Sequence, residues 1–168
     1  MTVELVFRVS LESSMTEFVD LSPYDYFEEY YRPTTLNVGW ISPLGEFQKA
    51  VPSEVFTAKL LAYTRVSVAQ SRGCHYCAAC PPDRQSVGFG LKGDFLAVGM
   101  AEIRVFSSTD IIYAAPTLLH HYVNEHHYCP PKEFVTAVME MPTPPDPRYF
   151  ALLSKHELEW MPTWSRRR

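Results

Sequence analysis

Three of the four cysteines fall within seven residues, in the stretch GCHYCAACPP that begins at Gly73. Cys77 and Cys80 are separated by two residues, a spacing that lets one tight turn direct both thiolates at a single ion. His75 is a further candidate ligand, because a His-x-Cys pair can also bind one ion. This stretch therefore predicts half of a metal site.

A second group of ligating side chains occurs in HHYVNEHHYC, which begins at His120. His121 and His126 are separated by four residues, within the spacing that is common for the histidine pair of structural zinc sites. Thiolate and imidazole ligands suit Zn²⁺ better than Ca²⁺ or Mg²⁺. The predicted ligand set is Cys77, Cys80, His121 and His126, with His75 in reserve.

Two other interpretations of the cysteines remain open. A Cys-x-x-Cys redox motif normally opens a helix in a thioredoxin-like unit, whereas here Pro81 and Pro82 follow and no βαβ pattern surrounds the motif. The thiols could instead be buried free cysteines, with the histidines on the surface. Cys74 and Cys129 are spare if a zinc site forms.

The same ligands bear on whether the zinc is structural or catalytic. A catalytic zinc keeps one position open and has a general base nearby. The sequence has no H-E-x-x-H motif and no deaminase pattern. Two thiolates and two imidazoles already fill a tetrahedral site, which favours a structural ion. The alternative is a zinc-dependent hydrolase that uses Glu125 or Glu102 as its base.

The elements that must position these ligands predict an α+β fold, with a mainly antiparallel sheet and two or three helices. Four short apolar pieces between residues 86 and 115 predict an antiparallel meander that joins the cysteine loop to the histidine helix. Zinc would then tie this loop to that helix in a single domain. The other predicted strands are Val3–Val9, Leu36–Ser42 and Arg65–Ala69, and the predicted helices are Pro52–Thr64, Pro116–His127 and Pro130–Glu140.

Composition limits the classes of partner. The 168 residues carry a net charge of −4, with 46% apolar and 20% charged residues, as is ordinary for a globular protein. The chain has no extended basic stripe, which disfavours nucleic acid. It also has no apolar run of the roughly 20 residues that a membrane span needs. The N-terminus does not resemble a signal peptide, so a cytoplasmic location is expected.

A protein partner fits this composition better. Aromatic residues are abundant and no catalytic motif is visible. Exposed Tyr and Trp side chains often anchor interfaces. The predicted role is a protein-binding module, immunity- or adaptor-like, more plausible than an enzyme. Its candidate contact residues are Tyr24, Tyr26, Tyr30 and Trp164.

Several motifs occur together in a fixed order: DLSPYDYF, TLNVGWI, RGCHYCAAC, AEIRVF, YAAPTLLHHYV and HHYCPPKEF. In this order they resemble a family of small uncharacterised bacterial proteins, known only as a domain of unknown function. The resemblance covers about residues 20–138 and implies no activity. It divides the chain into an N-terminal extension (1–14), a zinc-binding domain (15–140) and a Pro-rich C-terminal extension with a basic end (141–168). The ligand positions that it implies are His75, Cys77, Cys80, His121 and His126.

Overall fold

The computed structural model describes residues 16–71, 73–85, 88–91, 94–163 and 165–167. Within these ranges there are four α-helices and eight strands. The helices are α1 (Glu54–Tyr63), α2 (Leu119–His126), α3 (Lys132–Glu140) and α4 (Pro147–Lys155). The strands are β1 (Thr35–Asn37), β2 (Val66–Val68), β3 (Gly88–Leu91), β4 (Asp94–Ala97), β5 (Glu102–Phe106), β6 (Ile112–Pro116), β7 (Trp160–Pro162) and β8 (Ser165–Arg167).

The strands form a five-stranded and a three-stranded sheet. The larger sheet has the order β1-β6-β5-β2-β7, and the smaller has the order β3-β4-β8. Pairing is antiparallel except between β1 and β6, which run parallel. The predicted α+β class with a mainly antiparallel sheet is therefore confirmed. The described residues contain four α-helices, however, where two or three are predicted.

The core lies around the central hairpin of β5 and β6. All five residues of each strand are buried, because α1 and α3 contact β5 and further elements cover the hairpin. Burial on both faces explains why β6 is a continuous apolar run, whereas β5 carries two buried charged residues, Glu102 and Arg104. Helix α1 forms as predicted. The Ser53 hydroxyl accepts a hydrogen bond from the Phe56 N–H at 3.2 Å, and this cap satisfies one free donor of the first turn.

The predicted meander does not form one sheet. Its first two strands, β3 and β4, pair in the smaller sheet, and its last two, β5 and β6, pair in the larger. Pro116 ends β6 opposite Glu102 rather than starting the histidine helix, which begins at Leu119. A proline is tolerated there because the last residue of a strand can forgo a ladder hydrogen bond.

The segment after residue 140 packs against the core. Helix α4 begins at Pro147, where a missing N–H costs nothing, and Asp146 caps it by accepting from the Arg148 N–H at 2.9 Å. Tyr149 and Leu153 are fully buried, and β7 pairs with β2. The predicted strand Val3–Val9 and the contact residue Trp164 lie outside the described residues. None of the described helices has the length and apolar character needed to span a bilayer.

Candidate metal centre

The two cysteines are presented by a tight turn between β2 and β3. The Cys80 N–H donates to the Cys77 carbonyl at 3.1 Å, which closes the turn. The Cys77 N–H donates to the Gln85 carbonyl at 3.1 Å, and the Gln85 side-chain amide reaches the Cys80 carbonyl at 3.4 Å. These bonds hold both thiols on one side of the turn. The predicted loop conformation of this segment is confirmed.

The loop is also fixed at its base. The His75 N–H donates to the Gly99 carbonyl at 2.7 Å. Gly99 has φ +96°, a conformation that residues with a side chain rarely adopt, and a Cβ there would overlap the His75 carbonyl oxygen. Glycine is therefore required where the chain enters β5, because the cysteine loop passes directly over it.

The two histidines come from the C-terminal half of α2. In a regular α-helix, residues five apart differ by about 140° around the axis and face different ways. Here the last turn is wider, because the N–H groups of His127 and Tyr128 both donate to the Tyr122 carbonyl. A turn closed by an i to i+5 hydrogen bond is of the π type, which is frequent at functional sites. The widened turn brings His126 back towards His121.

The loop and the helix together place four ligand atoms in one cluster, within 4.8 Å of one another. The His121 and His126 Nε2 atoms are 3.2 Å apart. Sulfur–nitrogen separations are 3.1 Å from Cys77 to His126, 3.4 Å from Cys80 to His121 and 3.6 Å from Cys80 to His126. A tetrahedral zinc with ordinary bond lengths requires about 3.3 Å between nitrogens and about 3.6 Å between nitrogen and sulfur. These four separations match this geometry to within half an ångström, while the whole cluster spans up to 4.8 Å and would contract around an ion.

Hydrogen bonding alone does not account for the cluster. The His126 Nε2 atom lies within 3.6 Å of both sulfurs and of the His121 nitrogen. An imidazole Nε2 offers either one N–H or one lone pair, directed along a single line in the ring plane. It can therefore serve one of these three neighbours well. One cation at the centre satisfies all four atoms at once, so the cluster can hold a metal ion.

Burial keeps the ligand side chains uncharged when no ion is bound. Burial raises the pKa of the Cys77 thiol to about 11. Burial, with the adjacent His126 as a second cause, lowers the pKa of His121 to about 4. Without an ion, both groups are neutral at pH 7, and the imidazole lone pair is free to bind a metal. A bound divalent ion replaces the thiol proton, since the thiolate is the ligand.

The other candidate ligands lie apart from this cluster. His75 is half-buried and is not among the four clustered residues, so it does not complete the set. Cys74 is exposed, and Cys129 is half-buried with its sulfur near the Pro130 carbonyl. Sequence spacing leaves the choice between His75 and His126 open, and of the two it is His126 that belongs to the cluster.

The two candidate bases are placed differently. Glu102 is buried on β5, where its carboxylate pairs with the fully buried Arg104 guanidinium and accepts from the Tyr24 hydroxyl. A carboxylate held by two donors in this way is not free to accept a proton from water. Glu125 is exposed at the end of α2 and accepts from the Asn124 amide at 2.7 Å.

The prediction that Tyr24 is an exposed contact residue is wrong. Its side chain is fully buried, because the hydroxyl donates to Glu102 at 3.0 Å and the ring packs on Arg104 at 4.8 Å. Tyr26 and Tyr30 are half-buried. Arg104 is not among the residues predicted from sequence, although it is a buried charged residue of β5 and its partner Glu102 lies two positions earlier. That spacing, which places both residues on one face of a strand, is the signal that could have indicated the pair.

Comparison with curated proteins and with solved structures gives no match. A family model does match residues 16–139. This range contains α1, α2, β1 to β6, all of α3 except its last residue, and all four clustered residues, and it ends before α4. The chain therefore belongs to the family described as "Domain of unknown function (DUF7919)".

Proposed function

We propose that this protein binds one zinc ion through Cys77, Cys80, His121 and His126. The observation that carries the proposal is the convergence of two sulfurs and two Nε2 atoms within 4.8 Å, with four of the six separations close to those of tetrahedral zinc. Among biological divalent cations, zinc combines a tetrahedral preference with affinity for mixed thiolate and imidazole ligands. Oxygen-preferring ions such as Ca²⁺ and Mg²⁺ do not fit this set of donors.

We infer that the ion is structural. The four protein ligands complete a tetrahedral shell and leave no position for water or substrate. They also join two parts of the chain that are distant in sequence, since Cys80 and His121 are 41 residues apart. The ion would hold the cysteine loop against α2, whose inward face contributes Leu119, Tyr122 and Val123 to the core. Binding energy gained at the metal then becomes folding energy.

The role proposed for this scaffold is that of a protein-binding module. Support comes from Val19, which is 79% exposed and lines one open groove together with Phe47 and Val135, since exposed apolar groups that gather in patches mark interaction sites. Tyr26 and Tyr30 are partly accessible and remain candidate contacts. An immunity- or adaptor-like role and a bacterial source stay predictions.

The rival function, a zinc-dependent hydrolase, lacks a favouring observation. It would require one of the four ligands to leave and Glu125 or Glu102 to reach the ion. Glu102 is bound by Arg104 and Tyr24. Glu125 interacts electrostatically with both His121 and His126, so it is the stronger of the two candidate bases.

The test is metal analysis with zinc-edge X-ray absorption, on wild type beside Cys80→Ser and Cys129→Ser. Both cysteines are half-buried, but only Cys80 belongs to the cluster, so Cys129→Ser is the matched control. We expect one zinc per chain with two sulfur and two nitrogen ligands, lost only in Cys80→Ser. A shell that includes a water oxygen would favour the hydrolase. Metal retained by Cys80→Ser, or absent from wild type, would refute the proposal.

A further inference from the structure

A large open groove lies beside the metal centre. It is formed by residues 17–20, residues 40–48 and residues 128–135, and its volume is about 1030 Å³. We call it the acidic groove. Pockets for small molecules usually have volumes of about 300–1,000 Å³ and bury most of their ligand. A trough of this size that opens to solvent fits an extended chain better than a small metabolite.

Apolar side chains line much of the acidic groove. Val19, which is 79% exposed, stands on one wall, and Val135 of α3 is half-buried on another. Phe47 also lines the groove and packs edge-to-face on Tyr128, with ring centroids 5.8 Å apart. Apolar side chains along a groove provide contacts that select among the side chains of a bound peptide.

The groove is pre-formed by hydrogen bonds between its walls. The Tyr128 hydroxyl donates to Asp20 Oδ2 at 2.6 Å, and the Gly39 N–H donates to Asp20 Oδ1 at 2.8 Å. The Cys129 N–H donates to the Gln48 carbonyl at 2.9 Å. Because these bonds join all three segments, the site needs little reorganisation on binding, which lowers the cost of association.

The charges of the lining residues indicate which kind of ligand the groove would bind. Three lining residues are acidic (Glu17, Asp20 and Glu46) and one, Lys132, is basic. Glu17 and Glu46 are exposed, so their carboxylates are available to a ligand. A cationic ligand is therefore favoured over an anionic one.

The groove is coupled to the metal through the chain itself. His126 binds the ion, and the next residues lead directly into the groove wall at Tyr128 and Cys129. The Tyr128 N–H donates to the Tyr122 carbonyl of α2 at 3.0 Å. An ion that fixes the end of α2 thus also fixes where this wall begins.

We propose that the acidic groove binds an extended segment of a partner protein in which apolar side chains alternate with Arg or Lys. This deepens the proposed protein-binding function and rests on it. The apolar residues would contact Val19, Phe47 and Val135, and the cationic residues would pair with Glu17 and Glu46. Zinc would shape the groove without contacting the segment.

The experiment selects binders from a random twelve-residue peptide library displayed on phage, using zinc-loaded full-length protein. The groove variant is Glu17→Lys/Glu46→Lys, and the matched control is Glu28→Lys/Glu140→Lys, which reverses two exposed carboxylates elsewhere. We expect enriched peptides to combine Arg or Lys with large apolar residues. They should bind the groove variant about tenfold more weakly than wild type, and the control about equally.

A native thiol reports the location of binding. Cys129 lines the groove and Cys74 is exposed outside it, so an enriched peptide should slow alkylation of Cys129 by iodoacetamide and leave Cys74 unaffected. Val19→Asp should weaken the same peptide, whereas Val51→Asp should not, because Val51 is 87% exposed but lies outside the groove lining.

Several results would overturn the proposal: no enrichment, enrichment of acidic peptides, or equal binding to the groove variant and wild type. Protection of Cys129 that grows with protein concentration alone would assign the groove to a second copy of the chain instead. Zinc content, measured on every variant, distinguishes a failure of the zinc proposal from a failure of the groove proposal. Peptide binding without zinc would reject only the structural ion, and zinc without peptide binding would reject only the groove.

Discussion

The proposed ion makes stability depend on free zinc. Cys80 and His121 are 41 residues apart, so the ion closes a long loop that is open in the unfolded chain. By the relation used for cross-links, closing a loop of this length is worth about 4 kcal/mol. By mass action, the stabilisation depends on the free zinc concentration and reaches about 4.1 kcal/mol at 1,000 times the dissociation constant.

The measurement is urea unfolding in buffers that fix free zinc over several decades. Above the dissociation constant, the free energy of unfolding should rise by about 1.4 kcal/mol for each tenfold increase in zinc. At the upper end, the melting temperature should rise by roughly 8–16 °C for a chain of this size. The unfolded chain can still bind weakly through Cys77 and Cys80, which are close in sequence, and this binding would reduce the slope.

Cys80→Ser should remove the zinc dependence, and Cys129→Ser should keep it. Both substitutions replace a half-buried sulfur, so they differ mainly in contact with the ion. A free energy of unfolding that does not change with zinc would refute the reasoning. So would equal zinc dependence in the two variants, because the ion would then be bound elsewhere.

Three further changes test the surroundings of the site. Glu102→Gln should destabilise the fold by about 3–5 kcal/mol in urea unfolding, because it leaves the Arg104 charge buried and unpaired. The double variant Glu102→Leu/Arg104→Met should recover most of this loss, and no recovery would show that the pair is not the cause. Gly99→Ala should cost about 1–3 kcal/mol and weaken zinc binding, since the new Cβ displaces the His75 carbonyl. Asp146→Ala should cost about 1 kcal/mol by removing the cap of α4, and an unchanged stability would mean that α4 adds little to the core.

Sequence spacing was sufficient to predict the four clustered residues because each pair is local. Two cysteines in one turn and two histidines on one helix have separations that backbone geometry restricts to a few values. Spacing could not decide between His75 and His126, because that choice depends on the wide last turn of α2. The hydrogen bonds that widen this turn involve the backbone of His127 and Tyr128, which no side-chain pattern encodes.

The burial of Tyr24, in contrast, could not be predicted from local sequence. Its neighbours are acidic and aromatic, a composition that suits an exposed interface as well as a packed edge. What buries it is a pair of residues 78 and 80 positions later, Glu102 and Arg104, which supply an acceptor and a cation for its ring. Contacts at that separation are set by the register of β5 within the sheet. Local sequence carries no information about that register.

Helix α4 lies beyond the family match and still contributes to the core. Residues 16–139 contain every ligand, but α4 lies beyond them and still buries Tyr149 and Leu153. The Tyr149 hydroxyl donates at 2.9 Å to the carbonyl of Arg104, so this helix covers the strand that carries the buried ion pair. An ion pair gains most from its mutual attraction where water is excluded. The segment after residue 139 therefore helps to exclude water from the Glu102–Arg104 pair. Removing this segment would expose the pair to water.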